Sequence, residues 1–175
     1  MDFPTIVDML VNIQQSFTWF WRFITAFTYF VGILFAVRAL FMLKEFGQLQ
    51  MVASAQASLR KPLVNFLVAV VLLYAPSTLD RFLVTLYGTT AISPYWVEGG
   101  SPEFRTIVIV MGGFVQFIGY IAFLRGWILL ARLGERSSQE GTLARALMHI
   151  FGGILAINVF GTYRMLKVTL GLIVS

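Results

Sequence analysis

The chain carries nearly the same segment twice. Arg38-Ala39-Leu40-Phe41-Met42-Leu43-Lys44-Glu45-Phe46-Gly47 returns 87 positions later as Arg125-Gly126-Trp127-Ile128-Leu129-Leu130-Ala131-Arg132-Leu133-Gly134. Each copy closes a long apolar run, and a polar connection and a second apolar run follow. The repeating unit is therefore a pair of hydrophobic helices joined by a basic turn. The second arms align at a spacing of 84, which sets Asn65 against His149, Thr78 against Thr162 and Asp80 against Arg164. A connection three residues shorter accounts for the change of spacing.

Composition says where such pairs can live. A hydrophobic fraction of 58% with only 12% charged residues lies outside the range of water-soluble domains. The expectation is an all-α integral membrane protein, because 175 residues hold four spans of about 20 residues and little else. Cysteine is absent, which removes disulfides, thiolate ligands and thiol nucleophiles. A net charge of +5 suits anionic lipid headgroups, and the basic residues are too dispersed to form a nucleic-acid groove.

The chain divides into a first helical hairpin with an N-terminal interfacial helix (1–87), an external connection (88–105) and a second hairpin (106–175). Residues 3–16 alternate apolar Phe3, Ile6, Val7, Leu10 and Val11 with polar Asp8, Asn12 and Gln15, which predicts a short amphipathic helix in the interface. The start Met1-Asp2-Phe3-Pro4 lacks a basic n-region, so the first helix is expected to be retained. The first span is expected from Phe17 to Leu43, with Arg22 and Arg38 about 24 Å apart near its two ends. A tight turn is expected near Gly47 or Ser54. The second span, Leu63 to Leu79, should kink or stop at Pro76, and Asp80 and Arg81 should return the chain to water. Gly88, Pro94, Gly99, Gly100 and Pro102 break the connection. A third span, Thr106 to Leu130, and a fourth, Leu143 to Tyr163, complete the second hairpin.

The two turns hold Lys44, Arg60 and Lys61 in one hairpin and Arg132, Arg136 and Arg145 in the other, against Arg81 and Arg105 in the central connection. The positive-inside bias puts both turns in the cytoplasm and both termini outside, in spite of Arg164 and Lys167 in the tail. Two hairpins of one orientation form a parallel repeat, unlike the inverted repeats of many transporters.

Arg38 and Arg125 sit about six residues inside the turns, where a cation must snorkel, pair or face water. They are expected to bind lipid phosphate or line a lumen, together with Lys44, Arg60, Lys61, Arg132, Arg136 and Arg145. His149 is the sole histidine and has no second ligand at metal spacing, so no metal site is expected. Gln116 and Asn158 read as helix-to-helix hydrogen bonders, and His149 as either such a bonder or a residue near the cytoplasmic interface. Gly112, Gly113, Gly126, Gly152 and Gly153 read as packing positions, because none follows a strand as a phosphate loop would. No serine-histidine-acid set, paired intramembrane aspartates or His-Glu motif appears, and no enzyme, cofactor or small-molecule substrate is expected.

Basic turns with both ends outside resemble the two-helix conjugative pilins of type IV secretion systems, and the chain looks like a doubled pilin. Its length, its four-span layout and the run Phe151-Gly152-Gly153-Ile154-Leu155-Ala156-Ile157-Asn158 resemble the DotE/IcmC and TraQ family of type IVB secretion and I-type conjugation membrane proteins. That resemblance implies a place in the bacterial inner membrane with periplasmic termini, or in an extracellular pilus. The implied partners are copies of the chain, other membrane components of the apparatus, anionic phospholipid, and transported DNA or protein in passing. A small ion channel or transporter using Arg38, Arg125 and His149, and a static inner-membrane assembly factor, are the competing expectations.

Overall fold

The computed structural model describes residues 5–50, 58–92, 101–133 and 141–172, and among them every regular element is a helix. In chain order these are α1 (Ile6–Gln50), α2 (Arg60–Leu73), α3 (Ala75–Tyr87), α4 (Pro102–Arg132), α5 (Thr142–Ile157) and α6 (Val159–Thr169). Two of them, α1 and α4, are long and apolar enough to cross a membrane, and the number rises to four if each bent pair, α2 with α3 and α5 with α6, counts as one span.

The separate amphipathic helix expected at residues 3–16 is instead continuous with the first span. A capping box starts α1, since the Thr5 hydroxyl accepts from the Asp8 backbone N–H and Asp8 Oδ2 accepts from the Thr5 N–H at 3.0 Å. After it no proline interrupts 45 residues, and each interior glycine costs only about 1 kcal/mol. The helix runs through Gly47 accordingly, and Ser54 lies outside the described residues. The central connection is also shorter than 88–105. Ser101 caps α4 by accepting from the Phe104 N–H, with Pro102 in the first turn.

Neither second arm is a straight span. The chain bends by 84° between α2 and α3 at Tyr74, and by 91° between α5 and α6 at Asn158. Pro76 causes the first bend as expected and then occupies the opening turn of α3. The second bend has no proline. Asn158 turns away from helical geometry at φ −110° and its side-chain oxygen accepts from the Gly161 N–H, restarting the helix in a new direction. Asp80 and Arg81 are exposed, but they lie within α3, whose other face buries Leu79 and Leu83.

The two bends fall at equivalent places in the 84-residue register, and so do smaller features. Asn65 Nδ2 donates to the Lys61 carbonyl at 2.9 Å, and His149 Nδ1 donates to the Arg145 carbonyl at 2.8 Å. The first backbone bond after each bend, Thr78 to Tyr74 and Thr162 to Asn158, measures 2.8 Å in both. A Cβ added at Gly32 would meet Leu73, and one at Gly119 would meet Ile157, which is the same contact in both pairs. The duplication seen in sequence is thus a duplication of packing.

Candidate functional site

Helix α4 sits at the centre, and one of its faces is a seam of glycines spaced by seven. Gly112, Gly119 and Gly126 are all buried. They meet Phe160, Gly153 with Ile157, and Ile150 respectively, so α5 runs antiparallel along α4 at close backbone approach. A seven-residue period keeps one face turned to its partner over the full length. Gly113 packs on the Phe17 ring instead. Gly153 is clasped by Phe123 and Gly119, whereas Gly152 is exposed with nothing near it, which corrects its reading as a packing position within the chain.

The second face of α4 carries an aromatic seam with α1. Phe17 meets Phe114, Phe20 and Trp21 meet Phe117, and Trp21 meets Tyr120, all edge to face. Residue numbers rise together on both helices, so the first arms run parallel and both basic turns face the same end. Contacting residues differ by 96 to 99 positions, however, and repeat equivalents differ by 87. The second pair is slid by about ten residues, or about 15 Å, toward the N-terminal end of α1.

This displacement decides what the predicted cations can do together. An apolar groove of about 490 Å³ opens between α1 and α4, lined among others by Phe23, Phe27, Thr28, Leu124, Arg125 and Ile128. Arg125 therefore stands level with Thr28, while Arg38, also exposed, stands about 15 Å further along α1. Within one chain the two arginines share no level. Lys44, Arg60, Arg132 and Arg145 are exposed, Lys61 is half-buried, and Arg136 lies outside the described residues. Lys44, Arg60 and Lys61 flank the α1–α2 connection, and Arg132 and Arg145 flank the α4–α5 connection. His149 Nδ1 bonds its own helix, at the Arg145 carbonyl, and not a neighbouring one. Asn158 Oδ1 caps α6.

Sequence reasoning missed a polar link between the bent pieces. The hydroxyls of Tyr87, at the end of α3, and Thr162, in α6, lie 2.6 Å apart. Thr162 directs its one proton to the carbonyls of Leu155 or Asn158, at 2.9 and 3.0 Å, so Tyr87 donates. Tyr87→Phe is expected to cost about 0.6 to 1 kcal/mol. Chemical unfolding in detergent measures it, and Thr162→Val should cost less in the Tyr87→Phe background than alone if the bond is shared, the remainder being the Thr162 bond to its own helix.

Among the described residues no three metal-ligating side chains come together. No protein-family model, curated protein or solved structure matches the chain.

Proposed function

We propose that the chain is a membrane-embedded, pilin-like subunit of a type IVB or I-type conjugative transfer or secretion apparatus, and that it acts by associating with copies of itself. In this reading four crossings form two tandem parallel hairpins in the bacterial inner membrane. The basic turns face the cytoplasm and the termini face the periplasm. The observation that carries it is the outer surface. Phe23, Phe41 and Met148 are each at least 67% exposed, and dozens of other large apolar side chains join them around a structure already packed inside. Surface of that extent calls for lipid or protein partners.

The pair-on-pair construction supports assembly in preference to transport. Its bends make the second arms compound: α2 spans about 21 Å and α5 about 24 Å, and the helix bent across the end of each, about 10 Å thick, completes the hydrocarbon core of about 30 Å. The bent α3 and α6 then lie across the bundle, with the Tyr87–Thr162 bond tying them. The α1–α4 groove suits an acyl chain of a phospholipid whose phosphate rests on Arg125. The resemblance to the DotE/IcmC and TraQ family supplies the apparatus.

Filaments sheared from cells that carry the apparatus, analysed by mass spectrometry, test the proposal. The chain is expected among the filament proteins in amounts comparable to a major subunit. Its confinement to the inner membrane would overturn the filament role in favour of a static assembly factor.

A further inference from the structure

We infer that the seam between the two helix pairs of one chain is also the seam between successive chains, so that copies join head to tail into an open helical array. The inference rests on the self-association proposed above and adds the surface, its polarity and its advance. The premise is that the chain has already solved the problem of docking one pair on another. Phe17 meets Phe114, Phe20 meets Phe117, and Trp21 meets Tyr120. Carrying each partner across the 87-residue repeat sets Phe104 opposite Phe27, Ile107 opposite Phe30 and Val108 opposite Ile33.

Both halves of that second seam stand open. Phe27, Phe30, Ile33, Phe104 and Ile107 are between 42% and 57% exposed, and all are apolar; Val108 is half-buried. Phe30 and Ile33 face away from the seam already in use, while Phe27, seven residues after Phe20, shares that ring's stripe and lines the α1–α4 groove, so a docked neighbour would border the groove. Trp21 and Phe30 are nine residues apart, or about two and a half turns, and so point to opposite sides of α1. The equivalent positions Val108 and Phe117 are related in the same way on α4. Each chain thus presents an unused donor face on its second pair and an unused receiving face on its first.

The relation between the pairs also fixes the kind of assembly. The two faces are different surfaces, so the contact is heterologous and not a two-fold dimer. It includes a slide of about 15 Å per pair, or about 30 Å per chain, and a contact with axial advance extends as a helix without closing into a ring. Continued joining climbs out of the plane of a bilayer, in the direction of the N-terminal end of α1.

The chain contains no cysteine, which makes site-directed cross-linking free of background. Phe30→Cys with Ile107→Cys in one full-length chain, treated in whole cells with a short thiol cross-linker, is expected to give a ladder of dimers, trimers and higher species. Either substitution alone should give none, and mixing the two single variants should give dimers only. Phe20→Cys with Phe117→Cys, at rings 6.0 Å apart, should cross-link within the monomer and so report that the fold is intact. Dimers from a single variant would mean a two-fold contact and overturn the inference. A silent double variant beside an intact control and a self-associating wild type would overturn it as well, leaving self-association standing. A wild type that is monomeric in membranes would remove both.

Discussion

Gly153→Ala is expected to pry α4 from α5, while Gly152→Ala, one position earlier on the same helix, is expected to stabilise the protein. A Cβ at Gly153 would lie 2.6 Å from the Phe123 nitrogen and 2.7 Å from the Gly119 carbonyl oxygen. Both are backbone atoms, so no flexible side chain can yield, and the helices must separate or shift. Overpacking of this kind costs about 1 to 3 kcal/mol, and the helices also lose the dispersion contacts of a close approach. The gain of about 1 kcal/mol from replacing a helical glycine offsets part of it. At Gly152 nothing lies within 4 Å, so that gain is undiminished. Unfolding of the purified variants in detergent should place them about 1 to 3 kcal/mol apart, since the glycine gain is common to both. Equal stability would contradict the close approach of the two helices. Gly126→Ala should behave like Gly153→Ala, since its Cβ would meet the Ile150 nitrogen at 2.8 Å and the Ala146 oxygen at 2.9 Å.

The contrast between these two neighbours marks the boundary of what the sequence makes legible. A glycine doublet in an apolar run announces helix packing, but helical rotation by about 100° per residue sends its members to different faces, and only the partner's position decides which one is buried. The repeat was legible because it is a matter of pattern, as was the break at Pro76, whose cause is covalent. The break at Asn158 carries no proline, yet the 84-residue alignment already sets Asn158 opposite Tyr74, so the repeat itself held the signal. The slide between the pairs left no such trace. Apolar faces fit at many registers, and the one adopted is chosen by the shapes of Phe17, Phe20 and Trp21 against Phe114, Phe117 and Tyr120. This is why Arg38 and Arg125 look equivalent in sequence and stand on different levels in the structure.

Phe123→Ala is expected to be the most damaging of the core truncations, because Phe123 is where the separate seams meet. It is fully buried, it is the largest side chain so enclosed among the described residues, and its backbone forms one wall of the Gly153 contact. Its ring lies edge-on to Phe82 of α3 at 6.2 Å and to Trp127 at 6.2 Å, and near Tyr120, which belongs to the α1 seam. In the proposed membrane setting the transfer of apolar surface from water contributes little, since lipid is as apolar as the core, so the cost falls on the cavity. About 100 Å³ of lost side chain at about 24 cal/mol per Å³ gives about 2.4 kcal/mol, to which the lost aromatic pairs add about 1 kcal/mol. Phe123→Leu should recover more than half of this by refilling the space. Phe82→Ala combined with Phe123→Ala should cost less than the two singly, because both remove the same α3 contact. Phe23→Ala supplies the comparison: its ring is exposed and stacks only on Phe27, so stability in detergent should change by no more than about 0.5 kcal/mol. A Phe123→Ala loss no greater than that of Phe23→Ala would show that α3 does not dock on α4, and the bent piece would then have to be supported by lipid alone.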